Sequence, residues 1–93
     1  MNIGLLKVEF HMPYPQSLKG KRKITRSIIA RFRAKHNISL AEVGYQDKWQ
    51  RCILAAVCVS NGSGLAHAQL GKVLEDFERE KDIIVVDYSL EII

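Results

Sequence analysis

Lys19, Lys21, Arg22, Lys23, Arg26, Arg31, Arg33 and Lys35 are eight cations in one short stretch with no carboxylate among them. The chemistry open to such a run is neutralisation of phosphates or of an acidic protein surface. The chain of 93 residues carries 14 Lys and Arg against 10 Asp and Glu, a formal charge of +4, so everything outside this stretch is net acidic. Charge needed only for solubility is usually interspersed. The alternative is a solvated helix face with no ligand. A second candidate is Gln46-Asp47-Lys48-Trp49-Gln50-Arg51, where a tryptophan among polar residues could stack on a base while Gln and Arg donate hydrogen bonds at its edge. The competing reading has Trp49 closing the end of the core and Asp47 pairing locally with Arg51 or Lys48, and the usual burial of tryptophan favours it.

Other reactive types are present without a pattern. Ser60-Asn61-Gly62-Ser63-Gly64 lacks the Gly-Lys-Ser or Gly-Lys-Thr ending of a phosphate loop and reads as a turn and helix start. His11, His36 and His67 show no metal-ligand spacing, and Cys52 and Cys58 lie in an apolar run as two buried thiols. An acylphosphatase-like loop before the first helix would need backbone donors, yet Met12-Pro13-Tyr14-Pro15-Gln16 contains two prolines. Neither a metal, a cofactor nor catalysis is expected; a binding protein is, with structured RNA such as ribosomal RNA as the expected partner of Lys19, Lys21, Arg22, Lys23, Arg26, Arg33, Trp49 and Arg51.

The elements that must position these residues follow from periodicity. Residues 3–12 alternate as a strand, Pro13 and Pro15 stop it, and Ser17 is suited to cap a helix beginning at Leu18. That helix places Leu18, Ile24, Ile28, Ile29 and Phe32 on one side, with His36 in line with them, and Lys19, Lys23, Arg26 and Arg33 on another, ending at His36-Asn37, where asparagine tolerates the left-handed conformation. Residues 38–45 read as a strand with a bulge, and the nearly continuous apolar run 51–60 reads as a central strand. A second helix runs from Leu65 to about Lys81-Asp82, followed by a strand over 83–93 in which Ile84, Val86, Tyr88, Leu90 and Ile92 alternate with Asp87, Ser89 and Glu91.

The order βαββαβ predicts one α+β domain over 1–93, a ferredoxin-like sandwich with a four-stranded antiparallel sheet, the first and third strands central, and two helices on one face. A composition of 47% hydrophobic and 26% charged residues fits such a globular domain. Ile3, Leu5, Ile53, Ala55 and Val57 fall on the open sheet face, which is apolar enough to predict a homodimer formed through that face or through the edge of the last strand. No membrane-length apolar run or secretory leader pattern is evident, so a cytoplasmic location is expected.

Several stretches carry a resemblance in combination: Phe10 with Pro13, Ser17-Leu18-Lys19 and Lys21-Arg22, then Ala41-Glu42-Val43, Gln46-Asp47, Trp49-Gln50-Arg51 and Val59-Ser60-Asn61. Together they resemble the bacterial YlxP-like family of unknown function over almost the whole chain. The resemblance implies a ferredoxin-like fold. Members are commonly encoded beside genes for translation initiation and ribosome maturation, including ribosome-binding factor A, which implies an RNA or ribosome setting by association. This chain departs from the usual family pattern at Gly20, where Glu is frequent, and at Tyr45, where His is frequent. Both departures weigh against acid or imidazole chemistry at those places.

Overall fold

Alternation in the first strand sorts its side chains onto a dry face and a wet one. In a computed structural model, which describes Met1–Ile93, β1 (Asn2–His11) buries Leu6, Val8 and Phe10, while exposed Lys7 lies on the opposite face with Glu9. The chain continues as α1 (Leu18–Lys35), β2 (Ser39–Gly44), β3 (Arg51–Ser60), α2 (Ser63–Arg79) and β4 (Ile84–Ile92). The strands pair antiparallel in the order β2-β3-β1-β4, so β1 and β3 are central and the fold is the expected ferredoxin-like α+β sandwich. No helix is long and apolar enough to cross a membrane.

Both helices cover the same sheet face. Phe77 of α2 lies 4.6 Å from the Phe32 ring of α1 and 6.2 Å from the Phe10 ring of β1, centroid to centroid, so one side chain joins three elements. Where β1 passes beneath α2 a side chain could enter only by displacing its neighbours: a Cβ on Gly4 would stand 2.7 Å from Leu70 Cδ1 and 3.1 Å from Cys58 Sγ. The open face carries the expected Ile3, Leu5, Ile53, Ala55 and Val57, aligned by pairs such as Leu5 with Val57 and Lys7 with Ala55.

Three local expectations change. Ser17 does cap α1, its hydroxyl accepting from the Gly20 amide at 3.0 Å, but the helix ends on His36 in an extended conformation and Asn37 is not left-handed. The His36 amide donates to the Phe32 carbonyl while its ring meets Asp76, so the chain leaves the helix already extended towards β2. The inward stripe of α1 is Lys21, Thr25, Ile28 and Phe32, with Ile24 and Ile29 only partly covered. In β4 the single alternation breaks: Asp87 stands opposite Glu9 but Val85 opposite Phe10, leaving Val86 as an extra residue that turns Ile84 to the open face beside His11.

Polar contacts on the far side of α1 fasten it to α2. Asp76 lies 2.6 Å from His36 Nε2 and 3.0 Å from Lys35 Nζ, and Arg31 grips both carboxylate oxygens of Glu80. Burial pushes the Asp76 carboxyl up, but its hydrogen bonds with His36 and Lys35 outweigh that and hold it below its ordinary value of 3.8. A depressed native value means that this carboxylate stabilises the fold above its unfolded-state value and loses that contribution as the pH falls through the native one. Chemical denaturation from pH 6 down to pH 2 should therefore show stability falling below about pH 4, with Asp76→Asn both flattening that part of the curve and costing about 1 kcal/mol at neutral pH.

Candidate functional site

The basic stretch divides once it is folded. Arg31 and Lys35 reach Glu80 and Asp76, and Arg33 donates to the Leu40 carbonyl at 2.7 Å. Lys19, Arg22, Lys23 and Arg26 are exposed and have no carboxylate within ion-pair distance. At 3.6 residues per turn these four and Arg33 fall within an arc of about 100° on the side of α1 turned away from the core, spread over about 20 Å. The first turn of α1 holds no acidic residue. Its cations therefore sit at the positive end of the helix dipole, an arrangement that an incoming anion relieves.

Lys21 must be removed from the expected contact set. It points inward and is 1% exposed, with its ammonium 2.8 Å from Glu42 Oε2 of β2 and donating to the carbonyl of Tyr45. The cause is helical spacing: Lys21, Thr25, Ile28 and Phe32 are separated by four, three and four residues, so a charge in that stripe is carried under the helix. An ammonium taken from water has to be paired and hydrogen-bonded, and the hairpin supplies both partners. The same Glu42 carboxylate accepts from the Cys52 thiol at 3.4 Å. Burial, reinforced by Glu42, pushes that thiol far above its ordinary range, so Cys52 stays protonated and inert. Both cysteines are buried and free, as their apolar run predicts.

Tyr45 is the sole non-glycine residue with positive φ, at 59°. That conformation is uncommon for a bulky side chain and persists where surrounding contacts over-determine it. Here the Tyr45 carbonyl accepts from the Lys48 amide at 3.0 Å as well as from Lys21. Its ring lies under the Arg51 guanidinium, 4.1 Å from centroid to Cζ, and its hydroxyl accepts from Arg51 at 3.0 Å. Arg51 also donates to Glu9 at 3.0 Å, so it pairs across the sheet and not with Asp47.

Trp49 is 52% exposed and does not close the core. Its loop is nevertheless fastened, because the Gln50 amide nitrogen donates to the carbonyls of Pro13 and Pro15 at 3.2 and 3.3 Å, and the Met12 amide to the Gln50 carbonyl at 2.9 Å. Those contacts bring the hairpin against the segment that enters α1. The Gln50 side-chain donors are thereby occupied, which leaves only its Oε1 to accept from a base edge. His11, Asp47, Lys48, Trp49, Gln50 and Arg51 line a shallow groove of about 510 Å³ at this end of the sheet. The fold thus gathers two sets of the expected residues, the outward cations of α1 and the Trp49-Arg51 groove, and excludes Lys21. Glu9 and His11 join the site through the β1–β3 register, which was the missing signal, and Tyr45 joins it through its contact with Arg51 within the hairpin.

Lys21→Ala should cost about 3 kcal/mol in urea denaturation, at the low end for breaking a buried pair because Glu42 keeps some contact with water. Lys21→Met combined with Glu42→Leu should recover most of that loss, since a matched apolar pair leaves no orphaned charge. A single variant as stable as the parent would show that the pair carries no structural weight.

Residues 3–90 match the family described as "Protein of unknown function (DUF503)". The chain is also 36% identical over 72 residues to the Uncharacterized protein YlxP of Bacillus subtilis (strain 168), an alignment covering 77% of this chain and 78% of that protein. With its ferredoxin-like fold and the motifs spread along it, the chain belongs to the YlxP-like DUF503 family, whose function is uncharacterised.

Proposed function

We propose that this protein binds structured RNA through the outward face of α1, with Lys19, Arg22, Lys23, Arg26 and Arg33 set along the phosphate backbone. The observation that carries this reading is selective pairing: the cations on the flank facing α2 and the one under the helix each have a carboxylate partner, whereas those on the outward face have none. A row of uncompensated cations on a rigid helix suits phosphate neutralisation and would position RNA without reading its sequence. Binding, not catalysis, also suits the loop before α1. It offers the carbonyls of Pro13 and Pro15 to Gln50, and its two prolines lack amide donors, the opposite of an anion-cradling loop. Ribosomal RNA is the natural first ligand to try, in the cytoplasmic setting expected of such a protein.

A second reading is favoured by a different observation. Ile3, Leu5, Ile53, Ala55 and Val57 form a contiguous apolar area on the open sheet face, and the outer strand β4 exposes Ile84, Val86 and Tyr88. A second copy of the chain pairing there would cover both.

With ribosomal RNA fragments, affinity should fall as salt rises with a log–log slope of about −3, corresponding to four or five single-strand phosphates neutralised. Lys23→Glu with Arg26→Glu should remove the binding while changing stability by no more than about 0.5 kcal/mol, as surface substitutions usually do. Binding equal to the parent's would exclude α1 as the contact. Sedimentation at concentrations well above micromolar should give a two-chain species on the second reading, and a single-chain species would end it.

A further inference from the structure

Resting on that RNA reading, we propose that the groove at the β2–β3 hairpin is a subsite for one unpaired nucleobase, next to the N-terminal end of the basic helix. Three flat groups line it: the half-exposed Trp49 ring, the His11 imidazole and the Arg51 guanidinium, the last backed by the Tyr45 ring. Arg51 is paired with Glu9, and the lining holds Asp47 as well as Lys48, so this end of the surface carries no excess of cations for phosphate. What it offers is planar surface, the feature by which proteins take splayed, unpaired bases.

The groove is also preorganised. Gln50 is fastened to the carbonyls of Pro13 and Pro15, and Tyr45 is held at a strained backbone angle by Lys21 and Lys48. An exposed tryptophan on a loop fixed in this way needs little ordering when a ligand stacks on it. Because the loop is fastened to the chain entering α1, a strand that leaves the Lys19 end of the helix would have to round the end of the sheet to bring a base to Trp49. The ligand is therefore RNA in which a phosphate-tracked segment ends in, or bulges out, an unpaired base.

Trp49 is the chain's one tryptophan, so its fluorescence reports on this groove alone. The probes are a short oligoadenylate and an abasic ribose-phosphate chain of the same length, titrated into the parent, Trp49→Ala and Trp49→Phe, with the Lys23→Glu, Arg26→Glu variant alongside. Oligoadenylate should quench the parent's emission and bind Trp49→Ala about tenfold more weakly, with Trp49→Phe near the parent. The abasic chain should bind all three alike and leave the emission unchanged. Trp49→Ala binding oligoadenylate as the parent does, or binding without quenching, would overturn the subsite while the helix reading stands. If the parent binds ribosomal fragments but not oligoadenylate, the subsite likewise falls. If it binds no RNA at all, both readings fall together.

Discussion

The ammonium of Lys21 is the constraint on which the candidate surface depends. A cation placed in the inward stripe of α1 cannot be left unpaired away from water, and the acceptors that satisfy it lie on β2 and on the first residue of the following turn. That one requirement fixes how α1 sits over the β2–β3 hairpin. It thereby sets which flank of the helix faces outward with its cations and where the Trp49 loop lies relative to the start of the helix. The pair adds little net stability compared with an apolar equivalent, but its directional contacts tie the inward stripe of α1 to Glu42 and Tyr45.

Two kinds of adhesion therefore divide the molecule. Around Phe77 the helices and sheet are joined by non-directional packing of rings and aliphatic chains, with β1 pressed so closely against α2 that a Cβ at position 4 would displace Leu70. At the hairpin end, directional contacts dominate: Gln50 to two carbonyls, Arg51 to Glu9 and Tyr45, Lys21 to Glu42. The first gives the domain its stability and the second gives a polar surface its shape.

Most of the fold was legible because strand and helix periods leave direct marks in the sequence. The apolar run 51–60 became β3 with those bounds, and the bulge anticipated in β2 falls between Glu42 and Gly44. What failed depended on contacts distant in sequence. Lys21 looked like its neighbours because a run of cations conceals which one points inward, and only the joint stripe with Thr25, Ile28 and Phe32 distinguishes it. The general habit of tryptophan favours a core position for Trp49 over a base-stacking one, whereas the loop is closed by Gln50, a residue whose partners lie more than thirty positions away. The bulge that turns Ile84 outward likewise belongs to the pairing of β4 with β1 and leaves no trace in the alternation of β4 itself.

Strand β3 carries its two thiols beneath different lids. Cys52 lies against Glu42 and Lys21 under α1 and the hairpin, while Cys58 lies against the Ala66 carbonyl at the start of α2. Neither sulfur meets an alkylating reagent until its own cover lifts. The protein thus contains a pair of internal clocks on one strand, and the relative rates at which the two sulfurs are captured report whether its two helices open together or one at a time.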